Sequence, residues 1–115
     1  MNHSLFYFER LDVWRVAMEV VGLTAAVADG VPGKSGELAD QMRRASQSVV
    51  ANLAEGMGKF GKDRLRYNRT ALGSAYETAA HLEIAMRLGF VQAAAHAELR
   101  SLLLRVVSML TRMTR

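Results

Sequence analysis

The sequence predicts an all-α protein that folds as an antiparallel, up-and-down four-helix bundle. Half of its 115 residues are hydrophobic, and the single proline leaves few interruptions to helices. Four segments carry apolar residues at spacings of three and four, and no segment shows the alternation of a half-buried strand. The connections between these segments are short, which favours antiparallel neighbours within one domain over residues 1–115.

The first two helices are predicted over about residues 11–28 and 36–55. The apolar stripe of the first consists of Trp14, Met18, Val21, Ala25 and Ala28. A stretch rich in glycine, with the only proline, ends this pattern, and Ser35 is the expected N-cap of the second helix. The stripe of the second helix consists of Leu38, Met42, Ala45, Val49 and Leu53.

The last two helices are predicted over about residues 63–88 and 91–113, with Gly89 as the stop between them. The third helix has a heptad-like seam of Leu65, Asn68, Leu72, Ala75, Ala79, Leu82 and Met86. The apolar face of the fourth consists of Leu99, Leu102, Leu103, Val106, Leu110 and Met113. Leu104, Val107 and Met109 widen that face, and a partner subunit is the expected cover for it.

Composition narrows the cellular setting. The sequence contains no cysteine, which excludes disulfides and thiolate metal sites and agrees with a cytoplasmic protein. The N-terminus does not resemble a signal peptide, and no apolar run is long enough for a membrane span. A net charge of +4 and a pI near 10.0 permit attraction to nucleic acid or another anionic surface.

The stretch from Gly56 to Gly61 matches the pattern G-x-G-x-x-G. A dinucleotide site needs a strand before this pattern and a parallel sheet beneath it, and the sequence predicts neither. The glycines are therefore interpreted as a link between two helices. We expect Gly56 or Gly58 to end the second helix in the left-handed conformation, and Gly61 to turn the chain into the third.

Basic residues crowd the same region. The candidates for contacts with the phosphates of a nucleic acid are Lys59, Lys62, Arg64, Arg66 and Arg69. Phe60 and Tyr67 lie between them, and their rings could stack on bases. The alternative is a solvated helix end, since runs of charge usually face water.

A polar stripe on the second and third helices is a second candidate feature. We expect a half-buried network that fixes helix register or a subunit contact, formed by Arg44, Ser48, Asn52, Glu55, Ser74 and Glu77. In this network Arg44 is expected to pair with Glu77.

Glu55 and Glu77 are also the best available carboxylate pair for acid–base chemistry or for a metal. The Glu-x-x-His motifs of a di-metal bundle are missing.

No enzyme activity, metal or cofactor is predicted. No Ser–His–Asp or Cys–His arrangement can be nominated from the sequence. His3, His81 and His96 are interpreted as surface or interface residues.

Several blocks of the sequence resemble one family. These blocks are Leu11-Asp12-Val13-Trp14, Gln41-Met42-Arg43-Arg44-Ala45, Asn52-Leu53-Ala54-Glu55-Gly56, Gly73-Ser74 with Glu77, and Leu88-Gly89-Phe90. Together they resemble the bacterial four-helix-bundle proteins encoded in intervening sequences of 23S ribosomal RNA genes, also labelled S23 ribosomal proteins. The accessory proteins of diversity-generating retroelements look like relatives.

The resemblance implies a four-helix protomer that assembles into a barrel-like homopentamer and associates with RNA or DNA. For the retroelement relatives it also implies contact with a reverse transcriptase. The resulting expectation is a non-enzymatic, oligomeric accessory protein that binds nucleic acid, with RNA as the expected ligand. The alternative is a scaffold that docks a partner such as a reverse transcriptase and has no direct role with nucleic acid.

Overall fold

The computed structural model describes residues 4–115, which form four α-helices and contain no strand. The helices are α1 (Asp12–Asp29), α2 (Gly36–Met57), α3 (Gly61–Arg87) and α4 (Ala93–Met113). A short 3₁₀ turn, Tyr7–Arg10, precedes α1, and another, Gly33–Ser35, leads into α2. The prediction of an all-α protein with four helices is confirmed for this part of the chain.

Each helix packs against two others around one elongated core. α1 contacts α2 and α4, α3 contacts the same two helices, and the contact between α2 and α3 is the most extensive. The largest fully buried side chains come from α1, α2, α3 and α4 alike, among them Val20, Met42, Leu53, Leu82, Leu99 and Leu110. The bundle is 44 Å long, so its two ends are well separated.

The predicted stripes of α2 and α4 are confirmed. Met42, Ala45, Val49 and Leu53 are buried in α2, and Leu38 packs against the core. The core residues of α4 are Leu99, Leu103, Val106 and Leu110. Leu104 lies outside this core and is 58% exposed, so the protomer leaves part of the wide apolar face of α4 uncovered.

The predicted stripe of α1 is wrong by about one residue around the helix. The buried residues are Val13, Val16, Ala17, Val20, Thr24, Val27 and Ala28, whereas Met18 is 44% exposed. Only Ala28 belongs to both sets. The error has a physical cause, because α1 is apolar on two adjacent faces and contacts two helices, so spacing alone could not select between the faces.

The seam of α3 is partly wrong for a similar reason. Asn68, Ala75 and Leu82 are buried as predicted, but Met86 is exposed. The buried positions also include Ala71, Ser74, Thr78, His81 and Ala85. These smaller residues let α3 approach α2 and α4 at once, so its buried arc is broader than a heptad seam and is shifted around the helix.

Two glycines adopt positive φ angles and set the helix boundaries. At the end of α3, Gly89 (φ 78°) and Phe90 donate their backbone N–H groups to the carbonyls of Met86 and Ala85, at 3.1 and 2.8 Å. This is a Schellman motif, and it confirms Gly89 as the stop. Gly61 (φ 57°) turns the chain into α3, as predicted.

Of the two expected caps of α2, the C-terminal one is wrong and the N-terminal one is at its predicted position. Neither Gly56 nor Gly58 is left-handed, since the described glycines with positive φ are Gly61 and Gly89. Gly56 lies inside α2, and Gly58 follows its last residue with a φ of −87°. Ser35 is the N-cap residue of α2, as expected, although its side chain makes no capping hydrogen bond.

Candidate nucleic-acid interface

The geometry of the basic loop depends on a close contact between α2 and α3. A Cβ atom added to Gly56 would lie 3.0 Å from the Cβ of Tyr67 and 3.4 Å from Oδ1 of Asn68. This is tighter than nine in ten contacts of real Cβ atoms, so the two helices approach most closely where the absence of a side chain at Gly56 leaves space. This contact places the end of α2 and the first turns of α3 at a fixed distance, with the loop of residues 58–60 between them.

Arg64 closes the C-terminal end of α2. Its Nε atom donates to the carbonyls of Gly56 and Lys59, at 3.2 and 3.0 Å, and its Nη2 atom donates to that of Met57, at 3.3 Å. The carbonyls of Gly56 and Met57 belong to the negative end of the α2 dipole, where a cation is stabilising. Arg64 therefore serves as a helix cap in this loop, and its guanidinium is largely engaged by the backbone.

Two aromatic rings organise the cations around this loop. The guanidinium of Arg66 lies 4.6 Å from the ring centre of Tyr67, and Nζ of Lys59 lies 6.0 Å from the same centre. Arg64 is 5.8 Å from the ring centre of Phe60. These are cation–π distances, so three cations of this region are held against aromatic rings. We call these residues the loop cluster, together with the neighbouring cations on the first turns of α3: Lys59, Phe60, Lys62, Arg64, Arg66, Tyr67 and Arg69.

The outer surface of the cluster is open to solvent. Phe60 is 84% exposed, the largest exposure of any large hydrophobic residue in the described chain. Lys62, Arg66 and Arg69 are exposed and Lys59 is half-buried. Arg66 lies 3.8 Å from Asp63, whereas Lys62 and Arg69 form no ion pair within residues 4–115. Four of the five predicted phosphate contacts thus keep a cationic group available to a ligand.

The predicted polar network is assembled only in part. The hydroxyls of Ser48 and Ser74 lie 2.8 Å apart, and Nδ2 of Asn52 donates to the carbonyl and hydroxyl oxygens of Ser48, at 2.8 and 3.1 Å. These residues join α2 to α3. Arg44, Glu55 and Glu77 are exposed and take no part in it.

The expected pair of Arg44 and Glu77 is not formed. The described partner of Glu77 is His81, 4.0 Å away on the same helix, and Arg44 makes no ion pair within residues 4–115. Both side chains are exposed, whereas the hydroxyl-bearing residues Ser48 and Ser74 are half-buried and buried.

The histidines occupy different environments. His81 is buried in α3, and its Nδ1 atom has no hydrogen-bond partner in the described part of the chain, so its interpretation as a surface residue is wrong for the protomer. His96 joins α4 to α3 through a 2.7 Å hydrogen bond to Glu83, which also accepts from Arg100 at 3.2 Å. His3 lies outside the described residues.

The hydrogen bonds of Glu83 with His96 and Arg100 were not predicted from the sequence. His96 and Arg100 lie in α4, 13 and 17 residues after Glu83 in α3, so no local pattern connects them. The hydrogen bond from His96 lowers the pKa of Glu83, helped by the charges of His96 and Arg100 and opposed by slight burial. A spacing of four between His96 and Arg100 was the available signal, but it did not identify the acidic partner.

Residues 4–115 lack three kinds of feature. They contain no group of three or more His, Cys, Asp or Glu side chains that could hold a metal ion. None of the four helices combines the length and apolar character needed to cross a membrane. The stretch from Gly56 to Gly61 lies between two helices, so its glycines do not form the strand-to-helix turn of a dinucleotide site.

Fold and surface together define a small all-α protein of four packed helices with a cationic, aromatic loop at one helix junction. Residues 9–112 match the family model of the 23S rRNA-intervening sequence protein. The chain belongs to this family, as the resemblance of its sequence blocks indicated. No match was found among curated proteins.

A solved structure supports the fold. It is a protein with unknown function from the S23 ribosomal protein family of Bacteroides thetaiotaomicron VPI-5482. It is similar to this chain with a TM-score of 0.81 and 18% sequence identity, over 90% of this chain and 98% of the other. At this identity the similarity concerns the arrangement of the helices.

Proposed function

We propose that this protein is a non-enzymatic, oligomeric accessory protein that binds nucleic acid, with RNA as the expected ligand. The observation that carries the proposal is the loop cluster, where Phe60 is 84% exposed beside the exposed cations of Lys62, Arg66 and Arg69. Such cations replace counterions along a phosphate backbone, and an exposed ring can stack on a base. Membership of the 23S rRNA-intervening sequence family agrees with this function.

The proposed protomer is an antiparallel bundle. Ser48 in α2 contacts Ser74 in α3, and further along α2 Gly56 contacts Tyr67, which comes earlier in α3. Contacts that advance in one helix and retreat in the other are those of antiparallel neighbours. The links between the other consecutive helices are also short, which supports an antiparallel arrangement of those pairs as well.

The proposed oligomer is a homopentamer, a number that rests on the family resemblance alone. Self-association itself is supported by an apolar groove between α3 and α4 with a volume of about 300 Å³. Its rim includes Tyr76 and Leu104, which are 57% and 58% exposed. Contiguous exposed apolar surface of this kind is typical of a protein interface.

Salt-dependent binding tests the nucleic-acid function. Fluorescence anisotropy with a labelled structured RNA should show that affinity falls at least about tenfold between about 50 and 200 mM salt, because the release of counterions from several phosphates favours binding less as the salt concentration rises. The variant Lys62→Ala/Arg69→Ala should bind more weakly at every salt concentration and show a shallower salt dependence. Lys34→Ala/Arg87→Ala removes the same charge far from the loop and serves as the matched control.

An unchanged affinity in the loop variant, or equal weakening in the control, would refute the assignment of the loop.

The alternative function, a scaffold for a protein partner such as a reverse transcriptase, is favoured by the same α3–α4 groove. It predicts a stoichiometric protein complex that contains no nucleic acid. The substitution Leu104→Arg should disrupt such a complex, whereas the loop variant should leave it intact.

A further inference from the structure

We propose that the whole loop-bearing end of the bundle forms a platform for single-stranded nucleic acid, in which exposed aromatic rings stack on unpaired bases. The inference rests on the proposed function and adds the class of nucleic acid and two further segments of the chain. These segments are the N-terminal turn at residues 5–10 and the C-terminal end of α4.

The helices bring these segments to the same end. Asp29, the last residue of α1, accepts a 2.8 Å hydrogen bond from Arg43, so Arg43 in α2 lies at about the same height along the bundle as the end of α1. Asp12 and Met57 lie 17 and 14 residues from that level, which corresponds to roughly 26 and 21 Å of helix. The start of α1 and the end of α2 are therefore nearly level, and the turn before α1 contacts α2 directly.

The end of α4 completes this surface. Met109, Arg112 and Met113 line one shallow depression together with residues 11–13, which are the N-cap and the first two residues of α1. The link between α3 and α4 lies at the opposite end, where the carbonyl of Phe90 lies 3.6 Å from a Cβ added to Gly30. Arg115 follows Arg112 by three residues and therefore belongs to the same end as the loop.

The N-terminal turn presents aromatic rings to solvent in a fixed arrangement. Phe6 and Tyr7 are 69% and 65% exposed. The ring of Phe6 stacks on Phe8 at 5.6 Å with an interplanar angle of 5°, and Phe8 packs edge-on against Trp14 at 4.6 Å. The backbone N–H of Phe6 also donates to Glu9 at 2.9 Å. An exposed ring that its neighbours hold in place can stack on a base without first being ordered.

Charge is distributed unevenly between the two ends. The loop-bearing end carries exposed or half-buried cations on three segments: Lys59, Lys62, Arg66, Arg112 and Arg115. Acidic groups at this end are largely bonded locally, as in the pairs of Asp12 with Arg15 and of Asp63 with Arg66. At the opposite end the cation of Arg43 is balanced by both Asp29 and Asp40.

Aromatic platforms of this kind distinguish single strands from duplexes. The faces of paired bases are covered by their neighbours in the stack, whereas every unpaired base has a free face for Phe60, Phe6 or Tyr7. The surrounding lysines and arginines contact phosphates of either form and therefore do not discriminate. The combination of these side chains predicts a preference for single strands with little dependence on sequence.

The test compares three labelled ligands by fluorescence anisotropy at one salt concentration: an oligouridine, an oligothymidine of equal length, and a blunt RNA hairpin of equal charge. The expected result is tighter binding of the two single strands than of the hairpin. Binding of only one of the strands also supports the platform and identifies whether RNA or DNA is the ligand.

Substitutions then assign the rings. Phe60→Ala and Phe6→Ala/Tyr7→Ala should each weaken single-strand binding by at least about fivefold, while hairpin binding changes less. Leu88→Ala removes a 54% exposed apolar side chain at the opposite end and should change neither. Circular dichroism spectra that match the parent protein confirm that each variant is folded.

Two results would overturn this inference and leave the proposed function in place. The first is hairpin binding as tight as single-strand binding. The second is an unchanged single-strand affinity in both aromatic variants, when Lys62→Ala/Arg69→Ala weakens binding. Absence of salt-dependent binding to all three ligands would instead remove the proposed function itself.

Discussion

Replacing Gly56 by alanine should destabilise the protein, although the same change usually stabilises a helix. An alanine inside a helix is favoured over glycine by about 0.8–1.0 kcal/mol. At Gly56 the new methyl group would lie 3.0 Å from the Cβ of Tyr67, whereas carbon atoms pack at about 3.5–4.0 Å. The obstructing atom is bound to the α3 backbone and cannot rotate away, so the two helices must move apart.

Overpacking of this kind costs about 1–3 kcal/mol, which exceeds the gain in helix propensity. The expected net change in the free energy of unfolding is therefore a loss of about 1 kcal/mol. For a chain of 115 residues this corresponds to a fall in Tm of about 4 °C. Gly73→Ala and Gly22→Ala are matched controls, because a Cβ at either position would meet no atom within 4 Å.

Thermal and urea unfolding, followed by circular dichroism, measure the effect. Both control variants should be more stable than the parent protein, which gives an expected difference of about 2 kcal/mol from Gly56→Ala. Repetition at two protein concentrations separates the protomer from any subunit association. If Gly56→Ala raised the stability as much as Gly73→Ala, the close contact between α2 and α3 would not constrain the fold as argued.

Two further predictions concern side chains. Thr24 is fully buried and its hydroxyl has no hydrogen-bond partner among residues 4–115, so Thr24→Val should raise the free energy of unfolding by about 1 kcal/mol; a loss of stability in urea unfolding would contradict this. Glu83→Gln should cost less than about 1 kcal/mol at pH 7, because the carboxylate that accepts from His96 and Arg100 is 47% exposed. Since its folded pKa is lowered, this contribution is complete above the unfolded pKa and is lost as the pH falls through the folded value. Melting curves should show the difference at pH 7 and little difference near pH 3, and a difference that grows in acid would refute the role of Glu83.

Sequence periodicity predicted α2 and α4 well because their core residues form single stripes of large side chains, such as Met42, Leu53 and Leu99. It failed on α1 and on part of α3, where small or apolar residues occupy adjacent faces. Val20 and Met18 are both apolar, and only packing against two neighbouring helices decides that Val20 is buried.

The candidate site was predictable in composition but not in the roles of its members. Density of charge identified the basic loop, and the pattern of glycines identified a link between helices. The sequence could not show that Arg64 bonds three carbonyls, because that role depends on the path of residues 56–59. It also could not separate Ser48 and Ser74, which meet, from Arg44 and Glu77, which do not.

The bonds from Arg64 have a consequence for any ligand of the loop. They hold the backbone around the link between α2 and α3 at three carbonyls, so the position of Lys59 is fixed before a ligand binds. The conformational entropy of that segment is already lost during folding, and a phosphate chain that arrives later loses little affinity to it. A substitution of Arg64 would therefore reduce affinity for the ligand by making the backbone of the link more mobile, even if the guanidinium of Arg64 never touched the ligand.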